Sequence, residues 1–217
     1  EMYDELYARH NMKGVMCGML PPEASGWFRE EITRVEDLRG LKMRFFGLGG
    51  EALERLGVST QLIAGSDIYP ALELGTIDAT EFSMPAVDQA LGFHQIAKHY
   101  YFPGWHQQST FLELIVNMER WQALPDDLKL LVETVCGESI RLSIAEGDAL
   151  QFKAIAALKE QGVSVHRWSP EILAAFEAGW QEVVAERSAE NADFARVWQS
   201  LKAFREDYAV WLGLGYL

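Results

Sequence analysis

Two charged side chains lie inside short apolar segments of the sequence. Arg44 belongs to LKMRFFGLGGE (residues 41–51), just before a glycine-rich turn, and Glu81 belongs to GTIDATEF (residues 75–82). Both segments are predicted as strands, and a charge inside a strand is costly unless it meets a partner. One buried cation and one buried anion at strand ends predict a small site for an anionic ligand. The alternative, that Arg44 and Glu81 pair with each other or lie on solvated faces, is equally open from the residues alone.

Other residues offer further chemistry, each with a simpler alternative. Glu23 and Glu81 could form a carboxylate pair for acid–base catalysis, but the sequence has no GxSxG, Ser/His/Asp or HExxH pattern beside them. None of the five histidines has metal-ligand spacing with a cysteine or another histidine. His106 follows FPGW (residues 102–105) and either lines a pocket or belongs to a surface loop. Trp27 either lines a ligand pocket or fills the core.

The glycine-rich segment GLGGE (residues 47–51) is predicted as a tight turn from a strand into a helix. The charge of Glu51 would oppose a phosphate at that helix, so a phosphate site is the less favoured interpretation. Cys17 and Cys136 have neither metal nor redox spacing, and we interpret them as two buried thiols in preference to a disulfide.

The elements that must position these residues alternate in the N-terminal half. Apolar runs separated by Gly, Pro and polar residues predict short strands with short helices between them. This rhythm predicts an α/β layer with a largely parallel sheet. The predicted strands are residues 15–20, 41–46, 59–64, 77–82, 100–102 and 111–116.

The C-terminal half is predicted to be mostly helical. Pro125 opens a 3.6-residue apolar pattern that continues to about Gln161, a helix of roughly 54 Å that would run along two lobes. A short strand at residues 163–168 precedes a helix that begins at Ser169 and Pro170. A last helix from about Asn191 carries an apolar face of Phe194, Val197, Trp198, Leu201, Phe204, Tyr208 and Trp211.

Composition limits the classes of function. The chain has 217 residues and a net charge of −13, which argues against nucleic acid as a partner because phosphates need Lys and Arg. No run of 18 apolar residues is long enough for a membrane span, and no signal-peptide pattern is present. The chain opens at Glu1 inside a predicted helix, so we expect a processed or truncated chain.

Five segments in a fixed order resemble a known protein family. They are GWFREEI (26–32), DLRGLKMRFFGLGGE (37–51), IYPALELGTIDATEF (68–82), ALGFHQIAKHYYFPGWH (90–106) and ALPDDLK (123–129). Together they resemble the extracytoplasmic solute-binding proteins of tripartite ATP-independent periplasmic (TRAP) transporters, and within them the 2-oxo acid binding branch.

The resemblance implies a fold and a domain division. The family has a periplasmic-binding-protein-like fold of two α/β lobes around a cleft, backed by one long helix. Residues 1–13 would be the helix and hinge entry of the first lobe, and residues 14–116 the second lobe. Residues 117–217 would be the spanning helix and the C-terminal helices of the first lobe. Family members are longer at the N-terminus, so part of the first lobe would be missing here.

The resemblance also implies roles for individual residues. Arg44 matches the arginine that clamps the ligand carboxylate, while Trp105 and His106 match an aromatic pocket wall. Glu81 and the backbone carbonyl of Phe82 match a site for a metal cation, sodium or calcium, that bridges protein and ligand. This branch commonly has Trp where Phe82 stands. Position 23, commonly Gln in the family, is Glu23 here, which adds a negative charge and favours a divalent cation or indicates that the site is lost.

From this resemblance we expect a periplasmic solute-binding subunit that performs no chemistry. It would bind a small 2-oxo or 2-hydroxy monocarboxylate anion with a metal cation and present it to TRAP membrane subunits. The C-terminal helix would contribute to a homodimer, and an isolated chain is expected to self-associate through its apolar face. The rival hypotheses are an enzyme that uses Glu81 and Glu23 on a small organic acid, and a fragment that binds nothing.

Overall fold

Residues 2–215 are described by the structure, a computed structural model. The first residue of the predicted N-terminal segment, and residues 216–217 at the end of the predicted last helix, lie outside the described residues. The helices are α1 (Met2–Ala8), α2 (Gly47–Glu54), α3 (Gly65–Glu73), α4 (Pro85–Leu91), α5 (Met118–Ala123), α6 (Asp126–Glu160), α7 (Pro170–Glu190) and α8 (Ala192–Gly215). The strands are β1 (Met12–Leu20), β2 (Gly26–Phe28), β3 (Lys42–Arg44), β4 (Ser59–Gln61), β5 (Ala79–Thr80), β6 (His99–Phe102), β7 (Thr110–Asn117) and β8 (Ser164–Arg167).

A six-stranded sheet forms the centre of the molecule, in the order β4-β3-β5-β2-β6-β8. Three neighbouring pairs are parallel: β3 with β4, β3 with β5, and β6 with β8. The central strand β2 is antiparallel to both β5 and β6. The predicted α/β layer is therefore confirmed. The sheet is parallel as predicted among β3, β4 and β5 and between β6 and β8, but the two pairs that involve β2 are antiparallel.

The two faces of this sheet each carry a hydrophobic core. Alternating side chains of β2 and β6 point to opposite faces, so Trp27 and Tyr100 pack on one side and Phe28 and Tyr101 on the other. The core on the Phe28 side also contains Phe176 of α7, and the core on the Trp27 side contains Ile68, Phe93 and Leu158 from helical segments. Trp27 is fully buried, so the core interpretation of this residue is the correct one.

A separate two-stranded ribbon consists of β1 and β7. The two strands are antiparallel, from Met12 opposite Asn117 to Leu20 opposite Thr110. The register shifts between Met16 and Gly18, so Cys17 is the extra residue of a β-bulge. The first predicted strand thus begins three residues earlier than its apolar run, because pairing with β7 extends it.

The interpretation of the cysteines as separate thiols was wrong. Cys17 in the bulge and Cys136 on α6 form a disulfide that joins residues 119 positions apart. Cys136 is buried in a small core with Val15 and Trp121. The bridge therefore fastens the ribbon to the long helix, and only the tertiary packing of β1 against α6 brings the two sulfur atoms together.

The long helix is confirmed almost to the residue. It was predicted to run from Pro125 to Gln161, and α6 spans 35 residues, about 52 Å, between these two capping positions. Its buried residues are Cys136 near the ribbon and Ala154 and Leu158 near the sheet. The helix thus connects the two parts of the molecule. No described helix combines the length and the apolar character that a membrane span requires.

The lobe boundary predicted near residue 117 does not coincide with the limits of the six-stranded sheet, which includes a strand from beyond that residue. Strand β8 pairs with β6, and α7 packs on α2 so closely that a Cβ on Gly179 would lie 2.7 Å from the carbonyl oxygen of Ala52. Residues 164–190 therefore share a core with residues 26–101, although the division placed them in the other lobe. The chain leaves this sheet after β6 and returns to it through α6.

Two local predictions were also too simple. The GLGG segment is not a turn before a helix, because α2 begins at Gly47 itself, where a φ of +62° suits a glycine. Glu81 is not inside a strand, since β5 has only two residues and Glu81 follows it directly. On α8, Phe194, Val197 and Trp198 are half-buried, while Leu201, Phe204, Tyr208 and Trp211 are exposed.

Candidate functional site

Arg44 is the last residue of β3, in the parallel half of the sheet. Its neighbours Gln61 and Thr80 end β4 and β5 at the same edge. In parallel sheets this carboxyl edge is where ligands bind, because the loops that follow the strands diverge there. Arg44 is only 6% exposed, because β3 lies between β4 and β5, and the strand thus holds a buried charge at this edge.

The guanidinium of Arg44 is held from several sides. Nη1 donates to the carbonyl oxygen of Glu81 at 2.6 Å and to its carboxylate oxygen Oε2 at 2.8 Å. Nε donates a longer bond of 3.4 Å to the carbonyl of Ile63, and the rings of Phe46 and Phe82 lie 5.0 and 5.2 Å from the guanidinium carbon. Among residues 2–215, no acceptor is hydrogen-bonded to Nη2, which leaves that nitrogen available to an anion.

The predicted alternative of an Arg44–Glu81 ion pair is thus confirmed, and the pair is buried. Glu81 is 1% exposed, and its second oxygen, Oε1, lies 3.6 Å from Nε2 of His106. The backbone N–H of Glu81 donates to the carbonyl of Arg44, so the two residues are also tied through the main chain. A buried ion pair alone is weak evidence of a binding site, and the other charges nearby decide the interpretation.

Glu23 is brought to this ion pair by close backbone contacts. Its N–H donates to the carbonyl of Gln107, and its carbonyl accepts from the N–H of Gly104 at 2.9 Å. A Cβ on Gly104 would lie 2.3 Å from the Glu23 carbonyl oxygen, and a Cβ on Gly26 would lie 2.5 Å from that of Thr80. Glycine is required at both positions because the segment that carries Glu23 runs against two other backbones.

Three ligand-type side chains meet at this point. Ligand atoms of Glu23, Glu81 and His106 all lie within 4.8 Å of one another. The sequence offered Glu23 and Glu81 as a carboxylate pair, and the structure brings them together. The side chain of His106 is 7% exposed, so the surface-loop alternative for this residue was wrong. Two carboxylates and an imidazole at such distances could hold a metal ion.

The electrostatics of the cluster are those of a site that lacks positive charge. Burial, and after it the charges of Glu81 and Asp88, raise the pKa of Glu23 to about 7, against the opposing effects of a hydrogen bond with Ser83 and the charge of Arg44. The buried oxygen Oε2 of Glu23 and both ring nitrogens of His106 have no hydrogen-bond partner among the described residues. Unpaired buried polar atoms are costly, and a bound cation would satisfy them.

Asp88 is the residue that sequence reasoning missed. It lies on α4, is fully buried, and accepts hydrogen bonds from Nε1 of Trp27 at 2.9 Å and from the hydroxyl of Tyr100 at 2.8 Å. Burial raises its pKa to about 7, and the charge of Glu81 acts in the same direction. The sequence did contain a signal for a buried carboxylate, because Asp88 stands among apolar residues shortly after Pro85 opens the helix. Its hydrogen-bond partners, however, could not be predicted from the neighbouring residues.

The remaining predicted residues surround this cluster. Phe82 follows Glu81, so its carbonyl is one residue from the buried carboxylate, and its ring contacts Phe93 edge-to-face at 6.0 Å. Trp105 stacks on Phe176 at 4.7 Å between ring centres. His106 makes edge contacts with Phe45 and Trp105. All six predicted site residues therefore lie in one neighbourhood.

A cavity of about 330 Å³ adjoins the cluster at His106. Its wall includes Trp105 and the start of α2, and its other side is formed by α7 and α8. The side chains from these two helices are Glu177, Trp180, Trp198, Leu201 and Arg205. The predicted aromatic wall of Trp105 and His106 is thus part of a cavity. A second cavity of about 320 Å³ lies between α1 and β1, away from the buried carboxylates.

Comparison with known proteins identifies what this arrangement is similar to. Residues 21–191 match the model of the family described as bacterial extracellular solute-binding protein, family 7. A curated relative from a Nostoc species, named a monocarboxylate 2-oxoacid-binding periplasmic protein, is 35% identical over 207 residues. The match covers 95% of this chain but 57% of that relative, so the chain spans less than two thirds of its length.

Solved structures show the same similarity in three dimensions. A TRAP transporter solute-binding protein from Bordetella bronchiseptica, with copurified calcium and picolinate, is 38% identical with a TM-score of 0.94. The superposition covers 98% of this chain and 63% of that one. A TRAP periplasmic solute-binding protein from Pseudoalteromonas atlantica, with bound sodium and pyruvate, is 31% identical with a TM-score of 0.90, covering 97% and 64%.

Proposed function

Since the chain belongs to family 7 of the bacterial extracellular solute-binding proteins, we propose that it binds a small monocarboxylate for a TRAP transporter. The solute would be a 2-oxo or 2-hydroxy acid, held together with a metal cation. Three of the matching relatives are named for 2-oxo acids, pyruvate or picolinate, all of which are carboxylates with a second donor atom next to the carboxyl group.

The buried Arg44 is the observation that carries this proposal. This residue is 6% exposed, its guanidinium lies at the carboxyl edge of the sheet, and Nη2 is available. A planar guanidinium suits a carboxylate because two parallel N–H groups can meet its two oxygens. The net charge of −13 repels anions in general, so a buried, fixed cation is what selects a carboxylate at this one place.

The cation would occupy the space between Glu23, Glu81 and His106. Glu23 and Glu81 would supply carboxylate oxygens and Phe82 its backbone carbonyl, which together are the oxygen ligands that calcium and sodium accept. Glu23, Glu81 and the carboxylate of the solute together carry two negative charges more than Arg44 offsets, so a divalent ion balances the buried charge and a monovalent one does not. We therefore assign calcium in preference to sodium. The solute carboxylate and its second oxygen would complete the coordination, with Trp105 and His106 as the pocket wall.

Compartment and partners follow from the same proposal. A disulfide between Cys17 and Cys136 is typical of an oxidising compartment, which supports a periplasmic location. The ribbon of β1 and β7 and the helix α6 would connect this lobe to the other, and closure of the lobes on the solute would create the shape that the membrane subunits recognise. The exposed apolar residues of α8, including Phe204 and Trp211, support a homodimer contact.

An enzyme that uses Glu23 and Glu81 is less well supported. The two carboxylates lie together as acid–base catalysis would need, but the charged partners of Glu81 are Arg44 and His106, which suit the binding of ions. The matched family consists of solute-binding proteins. Incubation of the chain with pyruvate and calcium, followed by proton NMR, separates the two functions, because a binding protein returns pyruvate unchanged.

Calorimetry with pyruvate tests the proposal directly. We expect saturable binding in calcium buffer and a large loss of affinity after removal of divalent and sodium ions by chelation and exchange into potassium buffer. Acetate, which has no 2-oxo group, is the matched control and should bind much more weakly. Absence of pyruvate binding in every cation would contradict the proposal for this chain.

A further inference from the structure

Asp88 is a buried carboxylate that is neither a solute ligand nor a cation ligand in the proposed site. It is fully buried on α4, and it touches neither the space between Glu23, Glu81 and His106 nor any basic side chain among the described residues. One oxygen, Oδ2, accepts from Trp27 and Tyr100, and the backbone N–H of Ser83 also faces the carboxyl group. The other oxygen, Oδ1, has no hydrogen bond of standard geometry among residues 2–215. An ionised carboxylate without a cationic partner is expensive to bury, so its presence needs a reason.

The surroundings of Asp88 show that its position is firmly held. The indole of Trp27 and the ring of Tyr100 stack with centroids 3.8 Å apart and planes within 13°. Both rings are fully buried, and they lie on adjacent strands that pair at Trp27 and Tyr100. Two donors on a rigid stack therefore fix the position of Oδ2. The same strand β2 continues back through Gly26 to the segment that carries Glu23.

The charge of Asp88 reaches the proposed cation ligands. Ser83 lies between Asp88 and Glu23, because its backbone N–H faces the first carboxyl group and its hydroxyl the second. Trp27, which donates to Asp88, also pairs with Thr80, the residue before Glu81. Three buried carboxylates thus lie close together, and Arg44 is the basic side chain paired with one of them. With all three ionised the balance is two negative charges in excess, which equals the charge of one divalent cation.

We propose that Asp88 is a positioning residue of the cation site, an outer carboxylate whose charge makes the site prefer a divalent over a monovalent cation. It acts at a distance, through the field at the ion, and not as a ligand. This inference rests on the proposed function, because it assumes that a cation binds between Glu23 and Glu81. It adds a specificity determinant outside the set of residues that would touch the ion.

Substitution of Asp88 by asparagine isolates the charge. Asp88→Asn has almost the same shape, and its amide oxygen can keep both hydrogen bonds from Trp27 and Tyr100, while the amide nitrogen takes the place of the unpartnered Oδ1. Removal of one negative charge weakens the attraction for an ion in proportion to the charge of that ion. We therefore expect calcium affinity to fall about tenfold when sodium affinity falls only about threefold.

The experiment uses the metal alone, without any organic acid. Thermal shifts of the whole chain at pH 8 are recorded against calcium chloride and sodium chloride, with choline chloride added to keep ionic strength constant. Trp27→Phe removes one hydrogen bond and keeps the charge, so its calcium-to-sodium ratio should equal that of the unmodified chain. Exposed Asp127→Asn is the control for a charge lost elsewhere. If Asp88→Asn does not fold, the smaller Asp88→Ser gives the same readout.

Each outcome decides the question. A fall in the calcium-to-sodium ratio in Asp88→Asn but not in Trp27→Phe supports the inference. Equal losses for both ions, or an unchanged ratio, overturn it while the cation site itself stands. If the unmodified chain binds neither ion, the cation part of the proposed function fails first, and the role of Asp88 falls with it.

Discussion

At the scale of single residues, the site is a group of charges that the sheet edge forces together. Arg44 ends β3, Glu81 follows the adjacent parallel strand β5, and their main chains are hydrogen-bonded, so their side chains share one buried volume. Glu23 enters from a different direction, and burial together with the charges of Glu81 and Asp88 holds its pKa near 7. Substitution of each charged residue is therefore expected to have its own effect on solute or cation affinity.

The first prediction concerns Arg44. Arg44→Lys keeps the charge but loses the planar pair of N–H groups, so pyruvate affinity should fall by about 1.5–3 kcal/mol, or roughly 10- to 150-fold. Isothermal titration calorimetry in calcium buffer measures this change. Arg34→Lys, at an exposed arginine paired with Asp37, should leave affinity unchanged. Full affinity in Arg44→Lys would remove this residue from the binding site.

The second prediction concerns Glu23. Glu23→Gln removes one charged oxygen from the proposed ligand set and retains a neutral one, so calcium affinity should fall about tenfold or more while sodium binding is less affected. The substitution also removes an oxygen, Oε2, that is buried without a partner. Thermal shifts in the two chlorides measure both effects, with exposed Glu30→Gln as the control. Unchanged calcium binding would show that Glu23 is not a ligand.

At the scale of elements, the site depends on backbone segments that lie so close together that only glycine fits at the points of contact. The segment around Glu23 is wedged between β5 and the loop after β6, and glycines at 26 and 104 make the room. This packing determines where the Glu23 carboxylate lies. The disulfide between β1 and α6 similarly determines how the ribbon meets the long helix.

The third prediction tests the loop contact through its glycine. In Gly104→Ala the new methyl group would lie 2.3 Å from the carbonyl oxygen of Glu23, so the loop must move and carry Glu23 with it. We expect loss of calcium-dependent pyruvate binding and a destabilisation of more than about 1 kcal/mol. Gly137→Ala is the matched control, because nothing lies near that position on α6 and alanine favours a helix by about 1 kcal/mol over glycine. A Gly104→Ala chain that binds pyruvate normally would show that the close contact has no role in the site.

The fourth prediction tests the disulfide. Replacement of both Cys17 and Cys136 by serine opens a loop of 119 residues in the unfolded chain. Chain-entropy arguments put the loss at about 2–5 kcal/mol, seen as a lower melting temperature by circular dichroism. Dithiothreitol should have the same effect on the unmodified chain and none on the double variant. Equal melting temperatures with and without reductant would mean that the bridge does not form in solution.

Much of the element level could be predicted from the sequence, because its signals are local. Ser169 caps α7 with Pro170 behind it, and a glycine at 162 follows the end of α6, as predicted. Arg44 and Glu81 could be expected together because both end strands of one parallel layer. The disulfide, the position of β8 beside β6 and the environment of Asp88 could not be predicted from local signals. Each of them depends on contacts between residues more than ten positions apart.

At the scale of the whole molecule, charge and stability are linked. The chain carries a net charge of −13, and its most buried acidic residues lie beside one another rather than beside lysines. Burial raises the pKa of both Glu23 and Asp88 to about 7. The cation-free protein therefore stores an unfavourable charge that a bound cation would relieve.

The fifth prediction is the pH dependence of stability. For both groups the pKa in the folded protein, about 7, lies above the ordinary values of 4.5 and 3.8. Their contribution to stability is thus complete below about pH 4 and is lost as pH rises toward 7. In EDTA the free energy of unfolding should fall between pH 5 and 7 by up to about 1.4 kcal/mol per pH unit for each group.

Melting curves at pH 5, 6, 7 and 8, with EDTA or with calcium, measure this dependence. Calcium should reduce the slope, because the bound ion favours the ionised carboxylates. In EDTA, Asp88→Asn should reduce the dependence of the free energy of unfolding on pH by the contribution of one carboxyl group. A melting temperature that rises with pH in EDTA would contradict the assignment of these buried groups.

The return of the chain to its first sheet has a consequence for biosynthesis. Strand β8 completes the sheet beside β6, yet 61 residues separate the end of β6 at Phe102 from Ser164. Until α6 has folded and β8 is in place, the outer edge of β6 has no partner, and open strand edges are templates for pairing with other chains. A chain cut or stalled before Arg167 would therefore expose an edge that the finished protein covers. A chaperone that holds the chain unfolded until β8 is available would protect this edge.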